Sequence, residues 1–105
     1  MSRTETLILR NLIHNENYSR ATLPYLKPEY FNDLVERTVY EQINEFVTKY
    51  NSLPTSESLI IEIDNVSKIS DKDYERCVET IQSLTNEDVD SDWLIDTTEK
   101  WCQEK

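Results

Sequence analysis

The chain has 105 residues, 21 of them Asp or Glu against 11 Lys or Arg, giving a formal net charge of −10 with a hydrophobic fraction of 37% and no glycine. A chain this long makes one domain that buries roughly 60–65% of the surface its unfolded form exposes, and the missing glycines argue against tight-turned sandwiches and barrels. Direct nucleic-acid binding is not expected, because phosphate contacts need clustered Lys and Arg and no two basic residues are adjacent here.

In chain order, Ser2 and Glu5 fit a capping box that starts a helix running to about His14, with Ile8, Leu9, Leu12 and Ile13 on one face. Asn15-Glu16-Asn17 is expected to end it. A short helical piece follows from Ser19 to about Leu26, with Pro24 forcing a break or a new first turn. Pro28 to Phe31 reads as a single turn that places Tyr30 and Phe31 in the core.

The strongest pattern is the stretch Leu34–Tyr50, where Val35, Val39, Ile43, Phe46, Val47 and Tyr50 share about a third of a helix circumference and Tyr40 marks the edge. The outer face is expected to carry Glu36, Arg37, Glu41, Asn44, Glu45, Thr48 and Lys49, with Glu45 and Lys49 spaced for an i,i+4 ion pair. Asn51-Ser52 and Pro54 stop this helix.

Leu59-Ile60-Ile61-Glu62-Ile63 is rich in β-branched residues, which favours a strand. No second convincing strand exists to pair with it, and Pro54-Thr55-Ser56 supplies helix-start chemistry, so a helix of about nine residues is expected. From Ser70, with Asp73 completing a second capping box, Tyr74, Cys77, Val78, Ile81 and Leu84 form a helical stripe. The acidic loop 86–91 leads into a last helix from Asp92, with Trp93, Leu94, Thr97, Thr98 and Trp101 along one side. The expected fold class is all-α, a compact orthogonal bundle of about six helices.

The search for chemistry is mostly exclusion. P-loop, Rossmann and nucleophile-elbow motifs all need glycine. The single histidine, His14, reads as a surface residue, and Cys77 and Cys102 read as free thiols in a reducing compartment. Asp88, Asp90, Asp92 and Glu99 fall at positions one, three, five and twelve of an EF-hand-like pattern, but the sixth position is Trp93 where the turn needs glycine. An acidic first turn favoured by the helix dipole accounts for them without a metal. The sequence holds no run near the ~20 apolar residues of a membrane span and no signal-peptide core. Trp93, Leu94, Thr97 and Trp101 are the candidate partner surface, since Trp93 and Trp101 fall on roughly the same side of the last helix and Trp is enriched at interface hot spots. Trp101→Ala is expected to weaken binding while leaving the fold intact.

Taken together, Glu5-Thr6-Leu7-Ile8-Leu9 with Leu12-Ile13, Leu23-Pro24-Tyr25-Leu26 with Glu29-Tyr30-Phe31, the central helix with Ile43 and Tyr50, Ser52-Leu53-Pro54-Thr55 before Leu59, and Asp92-Trp93-Leu94 before Thr98-Glu99-Lys100 resemble the amino-terminal domain of DnaB-type replicative DNA helicases, nearest those of large T4-like tailed phages. The resemblance implies a noncatalytic helical head, residues 1–91, with residues 92–105 beginning the helical hairpin that follows it in the family. It also implies hexamer collar assembly, contacts with primase and a helicase loader, and a setting in the cytoplasm of the infected host. No catalytic, cofactor or metal residue is expected in this chain, because ATP and Mg²⁺ belong to the family's separate P-loop domain. A second reading is a self-standing acidic phage protein of similar fold, acting as helicase loader, inhibitor or DNA mimic. A gene continuing past Lys105 into a P-loop domain would favour the first reading, and a stop there the second.

Overall fold

A computed structural model describes residues 3–66 and 68–105. Six helices follow one another among them: α1 (Arg3–His14), α2 (Glu16–Thr22), α3 (Leu34–Tyr50), α4 (Ser56–Asp64), α5 (Asp71–Ser83) and α6 (Ser91–Gln103). Two single 3₁₀ turns, Leu23–Tyr25 and Pro28–Tyr30, bridge α2 and α3. The all-helical expectation is borne out, and the 12.8 Å radius of gyration matches the ~13 Å of a compact chain this long.

Each start has a side-chain cap where the local sequence offers one. Asn15 does not prolong a break, as expected, but caps α2, its Oδ1 accepting from the Tyr18 N–H at 3.1 Å. That moves the helix start three residues ahead of the sequence expectation. Asp33 caps α3 and Asp90 caps α6 in the same way. Ser70 accepts from the Asp73 N–H, whereas the Asp73 carboxylate faces Arg76 at 3.7 Å rather than closing the second half of a box. The capping box read at Ser2 lies outside the described residues.

α3 ends as the sequence indicates. With no glycine in the chain, Asn51 takes the left-handed cap (φ 53°, ψ 35°), a conformation Asn tolerates better than most residues. Arg20 on α2 holds it there through the Asn51 side chain at 2.6 Å and its carbonyl at 2.9 Å.

The ambiguous segment 59–63 is helical, within α4. Thr55 and Ser58 make a reciprocal capping box, with Thr55 Oγ1 accepting from the Ser58 N–H at 3.1 Å and Ser58 Oγ accepting from the Thr55 N–H at 2.9 Å. Leu59 and Ile63 are fully buried while Ile61 between them is 63% exposed. A strand would turn all three to one side; a helix separates Ile61 by half a turn.

One apolar core joins Ile8, Leu9 and Leu12 of α1, Tyr18 of α2, Phe31, Val35, Val39, Tyr40 and Ile43, Leu59 and Ile63 of α4, Cys77 and Ile81 of α5, and Leu94 of α6. α3 packs on α1, α4 and α5, and α6 packs on α2. Three expectations for α3 need correction. Its apolar stripe is buried through Ile43 and half-buried at Val47, which still packs against the core, but Tyr50 is half exposed and its ring is tilted against Phe46 at 4.7 Å. Glu36, assigned to the outer face, is instead buried in the first turn. The Glu45–Lys49 pair is not among the ion pairs of the described residues; Lys49 Nζ lies 5.2 Å from the Tyr50 ring centroid.

Candidate interaction surface

The last helix was the sequence candidate, and the structure divides it along its length. At its start, Asp90 Oδ1 accepts from the Trp93 N–H at 3.1 Å, and the Trp93 indole is 52% exposed. Leu94 and Thr98, one turn apart, are fully buried. The Thr98 hydroxyl lies 2.7 Å from the buried Tyr18 hydroxyl, a polar bond that ties α6 to α2 inside the core. Burial pushes the Tyr18 phenol well above its ordinary range, so it stays protonated and able to donate. Leu94, offered as a surface residue, therefore holds the helix down.

At the other end, Trp101 sits half-buried, edge-on to Tyr30 with centroids 6.1 Å apart and tilted over Phe31 at 5.1 Å. Lys105 Nζ covers the ring from outside at 4.7 Å from its centroid. Trp93 and Trp101 thus do not share a face. Eight residues at ~100° each leave them ~80° apart, enough to place one in solvent and the other on the core. Trp101 packs on the fold, so its loss would also cost stability. Thr97 is half-buried beside a groove of about 270 Å³ shared with Thr4, Lys100, Trp101 and Glu104.

The acidic loop ahead of α6 is tied to the α1–α2 corner. The Nε2–H of His14 donates to the Leu84 carbonyl at 2.7 Å, Asn15 Nδ2 donates to Ser91 Oγ at 2.9 Å, and Arg10 pairs with Glu87 at 3.3 Å. Because a carbonyl only accepts, the first bond places the ring proton on Nε2. His14 is exposed, as expected, but it also tethers a segment 70 residues away, which no local pattern could reveal. The tethers enclose an open polar cleft of about 460 Å³, lined by Asn11, Asn15, Asn17 and Asn86 with the carboxylates of Glu16, Glu87 and Asp88. Trp93 stands on the turn that borders it.

Both thiols are free, and burial pushes Cys77 up to about 11 and raises Cys102 as well, which keeps them protonated and unreactive. Of the EF-hand-like set, Asp90 is occupied as the cap and Asp88 and Glu99 line different clefts. Among the described residues no three His, Cys, Asp or Glu side chains lie where they could hold a metal ion, and no helix is long and apolar enough to cross a membrane. The pocket beside Leu34, Val66, Ile69 and Cys77 holds about 100 Å³, well below the ~300 Å³ of the smallest usual ligand sites.

No family model matches the chain. It is similar to the DnaB-like replicative helicase of Enterobacteria phage T4, with 28% identity over 99 residues. That match takes in 94% of this chain and 21% of the helicase, so the chain spans about a fifth of the relative it matches. The match, running almost end to end along this chain, bears out the resemblance to DnaB-type phage replicative helicases.

Proposed function

We propose that this chain is a noncatalytic helical head of a phage replicative DNA helicase, which assembles subunits and docks primase or a helicase loader in the cytoplasm of the infected host. The match with the phage helicase over nearly the whole chain carries this reading. The contact surface is the start of α6, where an exposed indole stands two residues from Ser91, which lines a cleft rich in carboxylates. Trp93 offers a large, rigid apolar face, and exposed Asp92 and Asp96 on the same helix, with Glu16, Glu87 and Asp88 of the cleft that Ser91 lines, supply the charge that a basic partner segment would meet. Strongly acidic surface also repels DNA phosphates, which leaves protein rather than nucleic acid as the partner.

The test is sedimentation and primase pull-down with the full-length helicase and its Trp93→Ala variant. A hot-spot role predicts a loss of roughly 30-fold or more in affinity for the partner, with the thermal midpoint unchanged. Equal binding by wild type and variant would remove Trp93 from the interface. Failure of the wild type to bind primase, loader or itself would remove the docking role altogether.

A further inference from the structure

Glu36 is 2% exposed, and its Oε2 has no hydrogen-bond partner among the described residues. A buried carboxylate left in that state is costly when charged and much less so when protonated. It stands in the first turn of α3, on the seam with α1, where Glu5 is also buried at 8% exposure and opposes it electrostatically. The other charges that act on it are Asp33 at the cap of α3, which repels it, and the amino terminus and Lys105, which attract it. Lys105 is the same residue whose ammonium covers Trp101, and Trp101 rests on Phe31 just ahead of α3. Phe31, the seat of Trp101, is in turn tied to the first turn of α3, where the Nε–H of Arg37 beside Glu36 donates to the Phe31 carbonyl at 3.1 Å.

We propose that the Glu5–Glu36 pair is a pH-responsive latch in which neutral Glu36 keeps the end of α6 seated on Phe31 and loss of its proton loosens that seat. Two effects of deprotonation oppose each other. The new charge attracts Lys105, and it must also be hydrated at a position that is 2% exposed. Burial outweighs the attraction: together with repulsion from Glu5 and Asp33 it lifts Glu36 from 4.5 to about 7. For an acid held above its ordinary value, the stabilising contribution is complete below about 4.5 and is lost as the pH rises through about 7. The latch lies within the head and needs no partner.

The experiment uses the Trp93→Phe protein, in which Trp101 is the remaining indole, and follows its emission and thermal midpoint from pH 5 to pH 9. The expected result is a red shift of Trp101 centred near pH 7 and a fall in the thermal midpoint of roughly 10 °C between pH 5 and pH 7 that levels off above. Glu36→Gln, which keeps the shape and removes the charge, should flatten both curves. Glu5→Gln should keep the transition and move its centre at least half a pH unit lower, because the repulsion from Glu5 is gone. A transition that survives in Glu36→Gln, or that Glu5→Gln leaves in place, or its absence from the Trp93→Phe protein, would overturn the latch.

Discussion

The two tryptophans of α6 are made of the same side chain on the same helix and do opposite things. Trp93 stands half in water on the turn whose Ser91 lines an acidic cleft, while Trp101 closes the core over Tyr30 and Phe31 under the ammonium of Lys105. The difference teaches that a helix face cannot be read from residue type alone when the helix is packed differently along its length. Between them, Leu94 and Thr98 pin the middle of α6 to α2. The helix is thus a scaffold element for most of its length and a presented surface at its first turn.

Four substitutions sharpen or break that comparison. Leu94→Ala should be the most damaging, because it removes a fully buried side chain; a loss of about 3–4 kcal/mol by chemical denaturation is expected. Trp101→Ala should cost about 2–3 kcal/mol, less than a fully buried Trp because its outer face already meets solvent and Lys105. Thr98→Val keeps the volume and strands the buried Tyr18 hydroxyl, which should cost about 1–2 kcal/mol; restoration by the double change Tyr18→Phe with Thr98→Val would show that the cost lay in the unpaired hydroxyl. Trp93→Ala should change stability by less than about 0.5 kcal/mol, in keeping with an exposed position. Should Trp93→Ala prove as damaging as Trp101→Ala, the division of α6 into anchored and presented parts is wrong. Iodide quenching gives the same contrast without mutation of the buried residues: emission from a Trp101→Phe protein should be quenched strongly, and that from a Trp93→Phe protein weakly.

Much of the fold was legible because its causes are local. The boundaries of α3 follow from an Asp cap, a 3.6-residue apolar repeat and an Asn that tolerates φ > 0. The helical state of 59–63 followed from the Thr55 start signal and the lack of a pairing strand, and the buried Leu59 and Ile63 on either side of exposed Ile61 agree with it. What misled was also local. Asn15 looks like a stop and acts as a start, since the residue that ends one helix can donate its side chain to the next. Glu36 looks like a solvated charge, since its residue type and its place off the α3 stripe say nothing of α1 lying over it.

The candidate surface was legible only in outline. Sequence spacing brought Trp93, Leu94, Thr97 and Trp101 together on the last helix, and the structure leaves Trp93 exposed, Thr97 half-buried and the other two in or against the core. The cleft beside Trp93 could not be read at all, because His14, Asn15 and Arg10 reach partners 70 or more residues away.

By itself the sequence determined that this chain is helical, where most of its helices begin and end, and which apolar stripes must be covered. Those outcomes rest on capping, periodicity and proline, all of which act within a few residues. The tertiary structure alone decided which side of α6 faces water, which carboxylate is buried and where the acidic loop is tied. Those depend on which helix lies against which, and the free energy that settles the packing comes from contacts between residues far apart in the chain.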